Sequence, residues 1–346
     1  MSRSVSLGFI RNTVRERLIS VLAGSKYGFR YIATESPAGD DVRVIDTTPI
    51  TRVLPEPTTQ LSGHRPTMQK SVLVLTGAVV DTITNYVYDR DLRFIGESSS
   101  WSLDHSVLRA PARPRPPRTV TYPGESLYLG TDAYYHWLIE EVPAYLQARR
   151  ASPEARTIIR RSPPRYVVDL LQLIDEQYSE APTYARLELL TFASKGAAII
   201  PNEVDLQTLH DLRDSLELRT GQPRRFYVSR RDSGRYPANE DAVEAVVAQA
   251  GCEIVQLAGM SLPDQIALFA GAELVVGTHG AGLANLAWCR IAATRVVEIA
   301  RTGQPNCFAT LAELSALPYA VVTSAPQGAW TVDVDSLKRA IDPAVR

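Results

Sequence analysis

Between residues 224 and 323, short apolar runs alternate with helical periods, and each change of period carries its own punctuation. Arg225-Phe226-Tyr227-Val228-Ser229 reads as a strand. Asn239 or Asp241 then caps a helix through Val243, Val246, Val247 and Ala250 that stops at Gly251. Residues 253–257 form a second strand, and Ser261 caps a helix through Ile266, Leu268 and Phe269, closed by Gly271. Leu274-Val275-Val276 is the third strand, followed by a helix that begins near Ala281. Residues 295–299 form the fourth, and a helix over 307–317 leads to a fifth at 319–323. Short apolar strands, each followed by a helix, build a parallel sheet covered on both faces. The expected product is a Rossmann-like α/β domain, which binds ligands beyond the carboxyl ends of its strands.

The first 220 residues are less regular. Residues 72–80 and 86–88 read as strands closing a β-rich entry region, and 126–129 as a strand leading into a helix over 134–149 that Pro143 kinks or divides. Helical patterns at 166–174 and 204–218 enclose strand-like 187–192 and 197–200. The division expected is an N-terminal extension (1–60), an acceptor-side α/β domain (61–220), a C-terminal Rossmann-like domain (221–330) and a tail (331–346), with the connection near Thr220-Gly-Gln-Pro223. Residues 111–118, Pro-Ala-Arg-Pro-Arg-Pro-Pro-Arg, suit neither a helix nor a central strand. They read as a solvated loop or as a basic patch for an anionic partner.

Composition narrows the field. A net charge of -1 argues against a dedicated nucleic-acid binder. Cys252, Cys289 and Cys307 lack metal spacing and sit among apolar neighbours, as reduced core residues do, which fits a cytoplasmic protein. No run approaches the roughly 20 apolar residues of a membrane span. The first 30 residues carry a basic excess, with Val14, Leu18, Ile19 and Leu22 on one helical face. A surface helix is the plain reading, and peripheral contact with a membrane the other.

Four places carry chemistry. In Val276-Gly-Thr-His-Gly-Ala-Gly-Leu-Ala-Asn285 a strand runs into a glycine turn and a helix start, with His279 and Asn285 beside it. The bare amides around Gly280, Ala281 and Gly282 and the positive end of the helix dipole suit a phosphate. Ser229-Arg-Arg-Asp-Ser-Gly-Arg235 ends the first strand of the same domain, where Arg230, Arg231 or Arg235 offers a planar fork to phosphate oxygens. Glu298 ends the fourth strand and is read either as a ribose ligand or as a salt-bridge partner of Arg295 or Arg301. In the first half, His136 and Glu140 stand four apart, on one face of a helix. They are either a general base with its neighbour or a structural histidine capped by a carboxylate.

Other signatures are weak or missing. Asp89-Arg-Asp91 and Asp333-Val-Asp335 match only a three-residue metal pattern, and Asp335 reads as the N-cap of a tail helix over 336–341. The chain has no Gly-x-x-x-x-Gly-Lys-Ser/Thr, His-Glu-x-x-His, Gly-x-Ser-x-Gly or Gly-x-Gly-x-x-Gly motif. Phosphate-loop ATPases, zincins, serine hydrolases and nicotinamide dehydrogenases lose support accordingly.

Taken together, Tyr135-His-Trp-Leu-x-Glu140-x-x-Pro143, Tyr227-Val-Ser-Arg230, Asn239-Glu240, Val276-Gly-x-His279-Gly-Ala-Gly-Leu-x-Asn285 and Val296-Val-Glu298-Ile299 resemble glycosyltransferase family 61. Ala144 departs from the arginine that many members carry there, on the acceptor side. The resemblance implies a GT-B type fold of two facing Rossmann-like domains and an inverting transfer of sugar from a nucleotide-diphosphate sugar to a glycan hydroxyl. For a bacterial member it implies surface or capsular polysaccharide synthesis, with peripheral contact to the cytoplasmic membrane or an assembly complex. A UDP-sugar is the expected donor; magnesium is compatible but not required. Two alternatives stay open: a nucleotide-sugar epimerase or hydrolase on the same frame, and a non-catalytic partner in polysaccharide assembly.

Overall fold

The computed structural model describes residues 29–30, 41–50, 69–95, 119–130, 133–195, 201–218, 224–290, 293–324 and 330–342. The basic start, the proline–arginine run at 111–118, the strand expected at 197–200 and the connection at 220–223 lie outside them. Among the described residues no helix is long and apolar enough to cross a membrane. The fold is mixed α/β and clusters into two units. The first comprises residues 1–132, 140–164 and 175–204, and the second 133–139, 165–174 and 205–346. The division therefore differs from the simple boundary near 220, because the second unit takes in two short excursions of the earlier chain.

The first unit is built on one mixed sheet. Its strands are β1 (Phe29–Arg30), β2 (Val42–Pro49), β3 (Gln69–Asp81), β4 (Tyr86–Tyr88), β5 (Phe94–Ile95), β6 (Val120–Tyr128), β7 (Arg156–Arg160), β8 (Tyr178–Ala181) and β9 (Tyr184–Ala193). They run in the order β1-β5-β4-β3-β9-β6-β7-β8, with β2 also on β3. Antiparallel β2, β3, β4 and β9 meet parallel β6, β7 and β8, so this half is a mixed sheet and not the plain parallel sheet of a Rossmann-like domain. The strands β2, β7 and β8 escaped the sequence reading because their apolar runs are short or interrupted by charge. Leu73, Leu75, Leu187, Leu190 and Ile158 fill the core.

The second unit matches its sequence pattern closely. Strands β10 (Arg224–Val228), β11 (Glu253–Val255), β12 (Ala272–Thr278), β13 (Arg295–Arg301) and β14 (Tyr319–Ser324) are all parallel, in the order β11-β10-β12-β13-β14. On one face Tyr227, Val276, Val297 and Ile299 pack against Val243 and Val247 of the helix Glu240–Gln249 and Leu337 of the helix Val334–Ile341. Phe226, on the opposite face, meets Phe269 of the helix Leu262–Ala270 with ring centroids 5.1 Å apart. Ser261 caps that helix as its side chain implied. The tail helix is capped by Asp333 rather than Asp335, since the Asp333 carboxylate reaches the amides of Asp335 and Ser336. Asn239 spends its amide group on both polar atoms of the Val332 backbone and leaves the helix at 240 without a side-chain cap.

Candidate functional site

Counted along the chain, the second sheet has the order 2-1-3-4-5, so its winding reverses between β10 and β12. Such a reversal leaves a crevice outside the carboxyl ends of the two flanking strands. Val228 pairs with Gly277 and Gly277 with Glu298, which sets Ser229-Arg230 beside Thr278-His279 at that switch point. The two segments read as phosphate-binding in the sequence thus lie next to each other.

Arg230 bridges them. Its Nη1 donates to the His279 carbonyl at 2.6 Å, and its guanidinium lies against Gly280. A Cβ at 280 would stand 2.9 Å from Arg230 Nε, with Cζ and Nη1 closer still. Gly280 itself has extended backbone, so the space for the guanidinium, and not an unusual dihedral, explains the glycine. Gly277 and Gly282 follow the same logic, making room for Leu283 and Leu257. Among the described residues no carboxylate pairs with Arg230. Burial pushes its pKa below the usual arginine value, and nearby Arg235 pushes the same way. A half-buried guanidinium with one of five donors used, facing a second cation, is poised for an anion. Arg235 is exposed beside it, whereas Arg231 is committed to Asp241 and Glu244.

The segment after the glycines is a 3-10 helix, Ala281–Trp288, and not the α-helix expected. The amides of Gly280, Ala281 and Gly282 have no backbone acceptor among the described residues, so the bare N–H groups survive the change of helix type. Asn285 differs from its expected place beside the ligand. It is fully buried, its amide donates to Gly282 O and Gln265 Oε1 at 3.0 Å, and its oxygen accepts from Tyr134 Oη at 2.8 Å. It holds the 3-10 turn in shape.

Two buried carboxylates brace the switch point, one on each face of the sheet. Beneath β10 and β12, Glu240 accepts from Ser229 Oγ at 2.9 Å, and Tyr227 Oη lies 3.0 Å from both its oxygens. Tyr227 Oη is also 3.0 Å from Thr278 Oγ1, so one carboxylate secures the residue before Arg230 and the residue before His279. Burial raises the Glu240 pKa against these hydrogen bonds. On the other face Glu298 is buried, with one oxygen 2.5 Å from His279 Nδ1 and the other accepting from Tyr319 Oη. Glu298 thus meets neither Arg295 nor Arg301, and its oxygens face protein groups instead of the ribose expected for it. Glu240 stood in a quoted motif without a role, and Tyr319 carried no sequence signal beyond its strand.

His136 reaches this region through rings within the second unit. His279 stacks edge-on to Phe308 at 5.0 Å, Phe308 to Tyr135 at 5.6 Å, and Tyr135 to His136 at 5.4 Å. His136 ends the short helix Tyr134–His136, which continues as a π turn, Trp137–Glu141, before the helix Val142–Ala151. Pro143 sits in the first turn of that last helix, where its missing N–H costs least. The π turn interrupts the α-helical register on which a shared face for His136 and Glu140 was expected, and Glu140, buried, belongs to the first unit. Such turns are frequent at functional sites.

Cys252, Cys289 and Cys307 are free and buried, as their neighbours implied, and burial, with Glu298 second, pushes the Cys307 thiol up to about 12. No curated protein matches the chain. A family model, Glycosyltransferase 61, matches residues 134–297, from Tyr134 through His136, Arg230 and the glycine turn to Val297. Over these residues, which hold the switch point, the chain is similar to the glycosyltransferase 61 family.

Proposed function

We propose that the protein transfers a sugar, with inversion, from a nucleoside-diphosphate sugar to a glycan hydroxyl. One observation carries this reading: among the described residues, Arg230 lies across the switch point without a carboxylate partner, beside three amides with no backbone acceptor. The diphosphate lies against the amides of Gly280, Ala281 and Gly282, with Arg230 in contact and Arg235 adding charge from the exposed side. Each such donor contributes about 3 kcal/mol to the transition state as negative charge grows on the leaving group. The acceptor hydroxyl loses its proton to His136 or Glu140 as its oxygen attacks the anomeric carbon. Inversion takes a single displacement, so no covalent sugar–enzyme intermediate forms.

Arginines and amides neutralise the leaving diphosphate in this scheme, and magnesium is an aid rather than a requirement. The family and the expected donor favour a UDP-sugar, and surface polysaccharide synthesis as the setting, on the cytoplasmic side of a membrane. The GT-B class is the corresponding fold proposal; the parallel second sheet supports it, and the mixed first sheet departs from its plain form.

A thermal-shift screen against nucleoside-diphosphate sugars tests the reading, because a ligand selective for the folded state raises its melting temperature. One sugar nucleotide should stabilise the protein and, with a glycan acceptor, yield product of inverted configuration in excess chelator. Conversion of the donor without an acceptor would point to an epimerase or hydrolase instead. Binding of no sugar nucleotide would leave only the non-catalytic alternative.

A further inference from the structure

His279 is held by two residues beyond the stretch that matches the family. Its Nδ1 is engaged by Glu298 at 2.5 Å, its carbonyl by Arg230 and its ring by Phe308. Nε2 has no hydrogen-bond partner among the described residues. The side chain is 13% exposed, so Nε2 is the edge left to meet a ligand. Glu298 is itself fixed from the far side by Tyr319 of the neighbouring strand, and β13 pairs with β14 in the register Glu298↔Val321. The order is therefore hydroxyl, buried carboxylate, imidazole, then the open crevice. A carboxylate behind an imidazole fixes which nitrogen points outward and balances its charge when both nitrogens carry protons.

We propose that Glu298 and Tyr319 are positioning residues that turn His279 Nε2–H onto the departing diphosphate. This rests on the reading of the switch point as a diphosphate site. In the step, the bond between the anomeric carbon and the diphosphate oxygen breaks and its electron pair stays on that oxygen. The acceptor oxygen forms the new bond, and its proton goes to the acceptor-side base. Doubly protonated, His279 donates one hydrogen bond to Glu298 and one to the diphosphate, and keeps both protons. The inference replaces ribose binding by Glu298 with an indirect role, and it adds Tyr319, which no motif marked.

Calorimetric titration of the full chain with UDP, GDP, CDP, ADP and dTDP tests it through variant cycles. For the diphosphate that binds, His279→Ala should weaken affinity about tenfold, Glu298→Gln nearly as much and Tyr319→Phe about threefold. In the His279→Ala background, Glu298→Gln and Tyr319→Phe should change nothing further, because they act only through the imidazole. Equal losses in both backgrounds, or unchanged affinity in Tyr319→Phe and Glu298→Gln, would overturn the proposal while leaving the site intact. If Glu298→Gln fails to fold, the Tyr319→Phe cycle decides alone, since that change removes one oxygen. Wild-type protein that binds no nucleoside diphosphate would defeat the diphosphate reading itself, a result distinct from additive variants.

Discussion

Gly280→Ala isolates the contact on which the site depends. The new methyl would fall within 2.9 Å of Arg230 Nε and closer to Cζ and Nη1, so the guanidinium must leave its seat. Because the obstacle is the far end of a flexible side chain, and the backbone at 280 is extended, the fold itself is little strained. The stability loss should be that of one part-exposed hydrogen bond to His279 O, about 1 kcal/mol. Ligand binding suffers more. A displaced arginine forfeits a charge-assisted contact with the diphosphate, about 1.5–3 kcal/mol, or roughly 10- to 100-fold in Kd. Arg230→Ala should match that loss. Combining the two is the sharper test: with no guanidinium to strike, Gly280→Ala in the Arg230→Ala background should change Kd less than about twofold. Calorimetry with the stabilising nucleotide reads affinity, and thermal unfolding reads stability. Wild-type affinity in Gly280→Ala, or an equal penalty in both backgrounds, would refute the reasoning.

Gly277→Ala should behave oppositely, because its methyl would stand 2.5 Å from Cδ2 of buried Leu283. Overpacking there should cost about 1–3 kcal/mol of stability by denaturant unfolding, and an unchanged midpoint would count against the packing. In the first unit, Lys195→Met removes one cationic partner of buried Glu141 and should cost about 1–3 kcal/mol, while adding Glu141→Leu should restore part of it; a double variant no better than the single would contradict this. Burial first, and Arg213 second, depress the His210 pKa to about 4 from its ordinary 6.5. The unfolded chain then binds more protons, so this contribution is complete above about pH 6.5 and is lost as pH falls toward about 4, by at most about 1.4 kcal/mol per pH unit. His210→Gln should flatten that part of the stability profile, and an unaltered slope would show that His210 binds protons equally in both states.

The second unit was legible because its strands are short, apolar and separated by helices of clear apolar period, so periodicity alone ordered the elements around Arg230 and His279. The residue types at the switch point could also be read: arginines at one strand end, glycines and a histidine at the next. Partners could not. Asn285 looks like a ligand residue in sequence and is a buried brace in space, because Tyr134 and Gln265 approach it from distant segments. Glu298 finds Tyr319 one strand away, a pairing that only sheet register creates. Nor does the sequence show that Gly277, Gly280 and Gly282 make room for Leu283, Arg230 and Leu257. Helix type failed where tertiary packing overrides local propensity, at the 3-10 helix after Gly280 and the π turn before Pro143. The mixed first sheet was hardest, since strands such as Val42–Pro49 are largely exposed and carry polar residues on both faces.

The most direct test is a crystal structure of the protein with the nucleoside diphosphate that stabilises it most. The account predicts pyrophosphate oxygens within hydrogen-bond distance of the Arg230 guanidinium and of amides among Gly280, Ala281 and Gly282, with His279 Nε2 turned toward them. A nucleotide bound with its phosphates away from Arg230, and with the guanidinium still seated on Gly280, would contradict it.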